Sequence, residues 1–195
     1  MKFSKAIIVV SIAAAALFSV APNANADQKS KQVELFGVSL KNADRDQLRQ
    51  VFKQNGMVPT REDNGYWVDT YDAQKVLEGA SDFKTGYVSA SNKFAFAEYT
   101  FSGFMDTGMV GKVIEMVTTK YGRPSSKSGS YGLGPVTAKW SMGQGMQIEV
   151  SRGWPDTTTL LRFIDSAANK QMQAEINTEK NAQARQKAQS QSKAF

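Results

Sequence analysis

Between Asp106 and Pro124 the apolar residues Val110, Val113, Ile114, Val117 and Tyr121 recur at intervals of three and four, which keeps them on one side of a helix. Asp106 stands where a carboxylate can cap the first turn, and Gly122 followed by Pro124 suits a helix C-terminus. An earlier stretch repeats the plan. Leu48, Val51 and Phe52 share a helical face behind Asn42 or Asp44 as cap, and Asn55-Gly56 closes that helix before Pro59. Elsewhere the apolar period is two. Val136, Ala138, Trp140 and Met142 alternate with Thr137, Lys139 and Ser141, while Met146, Ile148 and Val150 alternate with Gln147, Glu149 and Ser151. Each of these strands should have one buried and one polar face. A third strand is predicted over 157–164, with Gly143-Gln144-Gly145 and Gly153-Trp154-Pro155-Asp156 as the two turns.

Upstream, strands are predicted at 35–40, 66–71, 87–90 and 93–101, with Ser91-Asn92 as a turn. The segment 72–82 carries no clear period beyond a single turn around Val76 and Leu77. On 93–101, Glu98 shares a face with Phe94, Phe96 and Thr100, while Ala95, Ala97, Tyr99 and Phe101 line the other, the pattern of a central strand.

Helix, Gly-Pro stop and about three strands thus occur twice, with the closing glycines Gly56 and Gly122 66 residues apart. The pattern predicts an α+β fold: a two-layer sandwich of one antiparallel sheet with two helices on one face. Its duplicated helix-plus-three-strand units would span 35–103 and 104–167. After Ser166 the chain turns polar, rich in Ala, Gln, Lys and Asn. Met172 and Ile176 form one i, i+4 pair that can dock the first turns of a basic tail (168–195); beyond Lys180 a solvated helix or disorder is expected.

The N-terminus changes the setting. Lys2 and Lys5 precede an apolar run of about 15 residues from Ala6 to Val20, and Ala24-Asn25-Ala26 precedes Asp27. This is the pattern of a Sec-type signal peptide (1–26) cleaved after Ala26. It predicts a soluble periplasmic or secreted product without stable membrane insertion. A chain with no cysteine has no disulfide framework, so a hydrophobic core must hold it, and 11 Phe, 6 Tyr and 3 Trp can supply one. The formal charge of +6 is unevenly placed. Two lysines leave with the signal segment, and five cations against two carboxylates give the tail +3, so the body carries only about +1. A near-neutral body is not a nucleic-acid footprint.

The absence of histidine and cysteine excludes the usual zinc sites, Ser-His-Asp and Cys-His nucleophiles, and histidine acid/base work. No cofactor is implied. The glycines at 129, 132 and 134 lack a phosphate-binding pattern and read as a connection. A carboxylate pair needs neither histidine nor cysteine, and Glu98 with Asp69 are its candidates, for hydrolysis or binding of cell-wall glycan. Asp69 and Asp72 equally suit turn and cap positions. The preferred reading is a non-enzymatic binding protein, an adaptor or inhibitor toward a protein partner in the envelope or outside the cell. Lys139, Glu149 and Arg162 would line its open sheet face, and Trp154 with Arg152 and Asp156 would form a binding turn, because Pro155 and Asp156 already satisfy the turn without the tryptophan. The basic tail could further tether the protein to anionic envelope polymers.

Overall fold

A two-residue hairpin, β1 (Glu34–Leu35) and β2 (Val38–Ser39), opens the fold in a computed structural model that describes residues 31–103 and 106–194. The signal segment expected over 1–26, with the expected cut after Ala26, lies outside the described residues. The single strand expected at 35–40 is broken because Phe36 and Gly37 both take positive φ and turn the chain back. Helix α1 (Arg45–Gln54) starts where the Asp44 side chain accepts from the Asp46 N–H. After it come β3 (Val58–Arg61), β4 (Val68–Asp72), β5 (Asp82–Val88) and β6 (Lys93–Phe101). Helix α2 (Met109–Tyr121) follows, with Asp106 accepting from the N–H groups of Gly108 and Met109. The second set of strands is β7 (Ser126–Gly129), β8 (Val136–Ser141), β9 (Met146–Arg152) and β10 (Thr159–Asp165).

The eight strands β3 to β10 form one antiparallel sheet in the order β3-β4-β5-β6-β10-β9-β8-β7. Each half is a helix followed by a four-stranded meander, and the halves meet where β6 pairs with β10 from Phe101↔Thr159 to Phe96↔Ile164. The repeated unit therefore has four strands, not three. Those unforeseen are the edges β3 and β7, whose side chains are all exposed and so show no alternation.

Both α1 and α2 cover the same face. Leu48 and Phe52 of α1 are buried, and the Phe52 ring meets Tyr71 and Phe83 edge-on at 5.5 and 5.0 Å. Helix α2 buries the five residues of its stripe, Val110, Val113, Ile114, Val117 and Tyr121, in the same core as Ala138, Trp140, Ile148 and Val150. One expectation fails within β6. The register slips between Gly86↔Phe96 and Tyr87↔Phe94, leaving Ala95 as an inserted bulge residue. Phe94 therefore joins the helix-side core, while Ala95 and Phe96 turn to the opposite face.

That opposite face carries a third helix, α3 (Ser166–Gln191), capped by Asp165. Met172 is fully buried over β5 and β6, with Ala168, Ile176 and Trp67 around it. A methyl group on Gly86 would fall 2.1 Å from the Phe96 ring and 2.9 Å from the Met172 sulfur, so the glycine makes the floor on which the helix rests. Glu175 clamps the contact by accepting from Trp67 Nε1 (2.9 Å) and the Ser89 N–H (2.8 Å). The tail is thus helical well past Lys180, and its residues from Asn177 to Gln191 are all exposed. Among the described residues, no helix is long and apolar enough to cross a membrane.

Candidate functional site

The sheet face opposite α1 and α2 is covered by α3 at one end only, and its middle carries a row of charges. The register aligns Lys84, Glu98, Arg162, Glu149 and Lys139 side by side across β5, β6, β10, β9 and β8. Signs alternate along the row, and each neighbour is paired. Lys84 lies 3.6 Å from Glu98, Arg162 2.6 Å from Glu98 and 3.6 Å from Glu149, and Lys139 3.1 Å from Glu149. The three cations stay about half exposed while the two carboxylates sit lower. Beside the row lie Thr100, Leu160, Ser151, Thr137 and Ser128, a strip dominated by hydroxyls. Lys139, Glu149 and Arg162 are therefore brought together, and Glu98, considered earlier as a catalytic group, is a fourth member of the same set.

Asp69 lies on the other face. Alternation along β4 places it beside Tyr71, under α1, where it is fully buried. Arg45 donates to it from Nη2 (2.6 Å) and Nε (3.1 Å), and Arg49 from Nε (2.8 Å) and Nη2 (2.9 Å). The Arg45 guanidinium also donates to the carbonyls of Asp63 and Tyr66 and lies 4.8 Å from the centre of the Tyr87 ring. Burial works to raise the Asp69 pKa, but the hydrogen bonds from Arg49 and Arg45 outweigh it and hold the carboxyl below its ordinary 3.8. Asp69 and Glu98 thus share no cleft. A glycosidic bond cannot lie between carboxyls on opposite faces of one sheet, which corrects the carboxylate-pair expectation. Asp72 accepts from the Gln74 N–H, a turn role.

The turn set Arg152, Trp154 and Asp156 separates as well. Arg152 is 1% exposed and cannot meet a partner. Its guanidinium donates to four main-chain carbonyls, Thr107 (2.7 Å), Tyr131 (3.1 Å), Ser130 (3.1 Å) and Gly134 (2.6 Å). It pins the glycine-rich loop between β7 and β8, the loop whose conformation the sequence left undefined. A signal for this existed: Arg152 continues the series Met146, Ile148, Val150 on the buried side of β9. Trp154 is 48% exposed. Asp156 is exposed too, and the Thr158 hydroxyl and N–H that it accepts from hold it below its ordinary pKa.

No family model matches the chain, and no curated protein sequence matches it. Among solved structures, a DUF4309 family protein (YjgB) from Bacillus subtilis subsp. subtilis str. 168 is similar over 68% of this chain and 86% of its own, at 13% identity and a TM-score of 0.41.

Proposed function

We propose that this chain is exported and works as a non-enzymatic binding protein, an adaptor or an inhibitor, that docks a protein partner on its open sheet face. The observation that carries this reading is the row Lys84, Glu98, Arg162, Glu149, Lys139 on a face left largely uncovered. Every charge in the row already has an opposite neighbour, so covering it strands no lone ion, the step that makes burial of charge expensive. The lysines and the arginine still keep spare N–H groups for a partner's carbonyls and carboxylates. Alternating signs also fix the register in which a complementary surface fits. Export rests on the pattern of residues 1–26.

Two measurements test the reading. The intact mass of the protein recovered from the producing cell should correspond to a chain beginning at Asp27; a chain retaining Met1 would remove the export half. A photoreactive benzoylphenylalanine placed at position 139 should give one discrete protein adduct in cells, with none from positions 50 and 115 on the exposed sides of α1 and α2. Equal labelling from all three would remove the binding half, and adducts to wall glycan instead of protein would replace the partner class.

A further inference from the structure

Two buried polar atoms at one end of the sheet meet no partner among the described residues, and the register puts their residues side by side. The terminal nitrogens of Arg152 are fully used: Nη1 donates to the carbonyls of Thr107 and Tyr131, and Nη2 to those of Ser130 and Gly134. Its fifth donor, Nε–H, is buried and finds no acceptor. Thr159 stands directly opposite Arg152 on β10 and is turned to the same buried face. Its hydroxyl is buried and unpaired as well, so the two groups do not bond each other. The register flanks the pair with Phe101 on one side and Val136 on the other, both apolar. Directly opposed side chains start about 5 Å apart at Cβ, so one small ligand can reach both groups. Buried polar atoms without partners are rare, and a pair of them facing one another points to a bound water or ion.

Counting donors chooses between the two. Nε–H can only donate, and the threonine hydroxyl has one proton to place. A water brings two protons more, while the one acceptor on offer is Thr159 Oγ1; whichever way it turns, two protons stay unmet. A monatomic anion accepts from both groups and leaves neither unmet. It also answers the charge, because the hydrogen-bond partners of Arg152 are neutral carbonyls. The other charged side chains at this end are engaged elsewhere. Asp106 accepts from the N–H groups of Gly108 and Met109, Asp156 accepts from Thr158, and the Lys127 ammonium lies 4.2 Å from the centre of the Tyr131 ring. We propose that Arg152 Nε and Thr159 Oγ1 hold one halide ion between β9 and β10. The ion completes the staple: fixing Nε fixes the plane in which the four other donors meet the carbonyls of Thr107 and of the β7–β8 loop. Order in that loop is thereby coupled to halide. The inference stands apart from the protein-binding reading and concerns a different face of the sheet.

Bromide is the probe, used on the full mature chain. Crystals grown in sodium bromide should show an anomalous peak bonded to Arg152 Nε and Thr159 Oγ1. Density there without anomalous signal would overturn the proposal in favour of water, and bromide found only at the protein surface would overturn it outright. In solution, urea unfolding is measured at constant ionic strength with bromide exchanged for gluconate. The folding equilibrium constant should rise roughly tenfold for each tenfold rise in bromide above the site's Kd, the signature of one ion held by the folded state alone. Thr159→Val keeps the shape and removes the donor, so it should flatten that response; Thr159→Ser keeps the donor and should retain it. Amide exchange in 130–134 should slow with bromide in wild type and not in Thr159→Val. A wild-type response that stays flat up to about 0.5 M bromide, or an equal response in Thr159→Val, would sink the site.

Discussion

The two halves of the sheet share one plan and hold their helices by opposite chemistry. In the first, α1 meets the sheet through the ion cluster Arg45–Asp69–Arg49 and the rings of Phe52, Tyr71 and Phe83. In the second, α2 lies against Ala138, Ile148 and Val150 through valines and an isoleucine, and the buried charge, Arg152, is moved to the sheet end, where its two terminal nitrogens donate to carbonyls while its Nε stays without a partner among the described residues. A helix-and-meander unit therefore accepts either a polar or an aliphatic interface, provided that each buried charge is met by carboxylates or by carbonyls. The polar half gains directional contacts that fix where α1 sits. It also becomes the half that responds to pH.

The largest effect is expected from breaking the polar interface. Asp69→Ala leaves two arginines facing each other without their carboxylate and should cost about 3–5 kcal/mol in urea unfolding. A triple change of Arg45, Arg49 and Asp69 to Met, Leu and Leu should cost far less, because no unpaired charge remains. In the aliphatic half, Ile114→Ala should cost about 2–3 kcal/mol through lost burial. The two halves then separate by pH. Asp69 titrates below its ordinary 3.8 when folded, so its contribution is complete above about pH 4 and drains as the pH falls further. Unfolding measured from pH 7 to pH 2 should show that acid slope in wild type and in Ile114→Ala, and a reduced slope in Asp69→Asn. At the alkaline end the same half titrates again. Burial raises Tyr71, Tyr87 and Tyr99 above their ordinary 10, so the stability linked to them is complete below pH 10 and lost above it.

Gly86→Ala should cost about 1–3 kcal/mol, because the new methyl group meets the Phe96 ring and the Met172 sulfur. Its distinguishing mark is local: amide exchange in 168–176 should quicken before exchange in β8 to β10 does. The smallest effect belongs to the open face. Lys139→Ala should change stability by under about 1 kcal/mol, since an exposed cross-strand ion pair contributes little to folding.

Much of this was legible in the sequence wherever one face is buried and the other wet. The α2 stripe, the alternation of β8 and β9 and the Met172–Ile176 pair all follow from periodicity alone. The misses have physical causes. Edges β3 and β7 are exposed on both faces, so neither Val-Pro-Thr-Arg nor Ser-Lys-Ser-Gly carries a period. The Ala95 bulge exchanges the faces of Phe94 and Ala95, which a strict period of two cannot foresee. Asp69, Arg45 and Arg152 were readable but masked by their polarity: Arg45 precedes Leu48 and Phe52 at i, i+3, i+7, and Asp69 and Arg152 keep step with buried neighbours. A charged residue in phase with an apolar stripe marks a buried pair or a staple before it marks a binding site.

The open face itself is tested most directly by the affinity of the protein captured from position 139 for wild type and for the double variant Lys139→Glu, Arg162→Glu. That exchange leaves four carboxylates and one lysine in the row without touching the core. The expected result is a folded protein whose affinity falls by roughly 10-fold or more. A folded double variant that binds as tightly as wild type would contradict the assignment of this face.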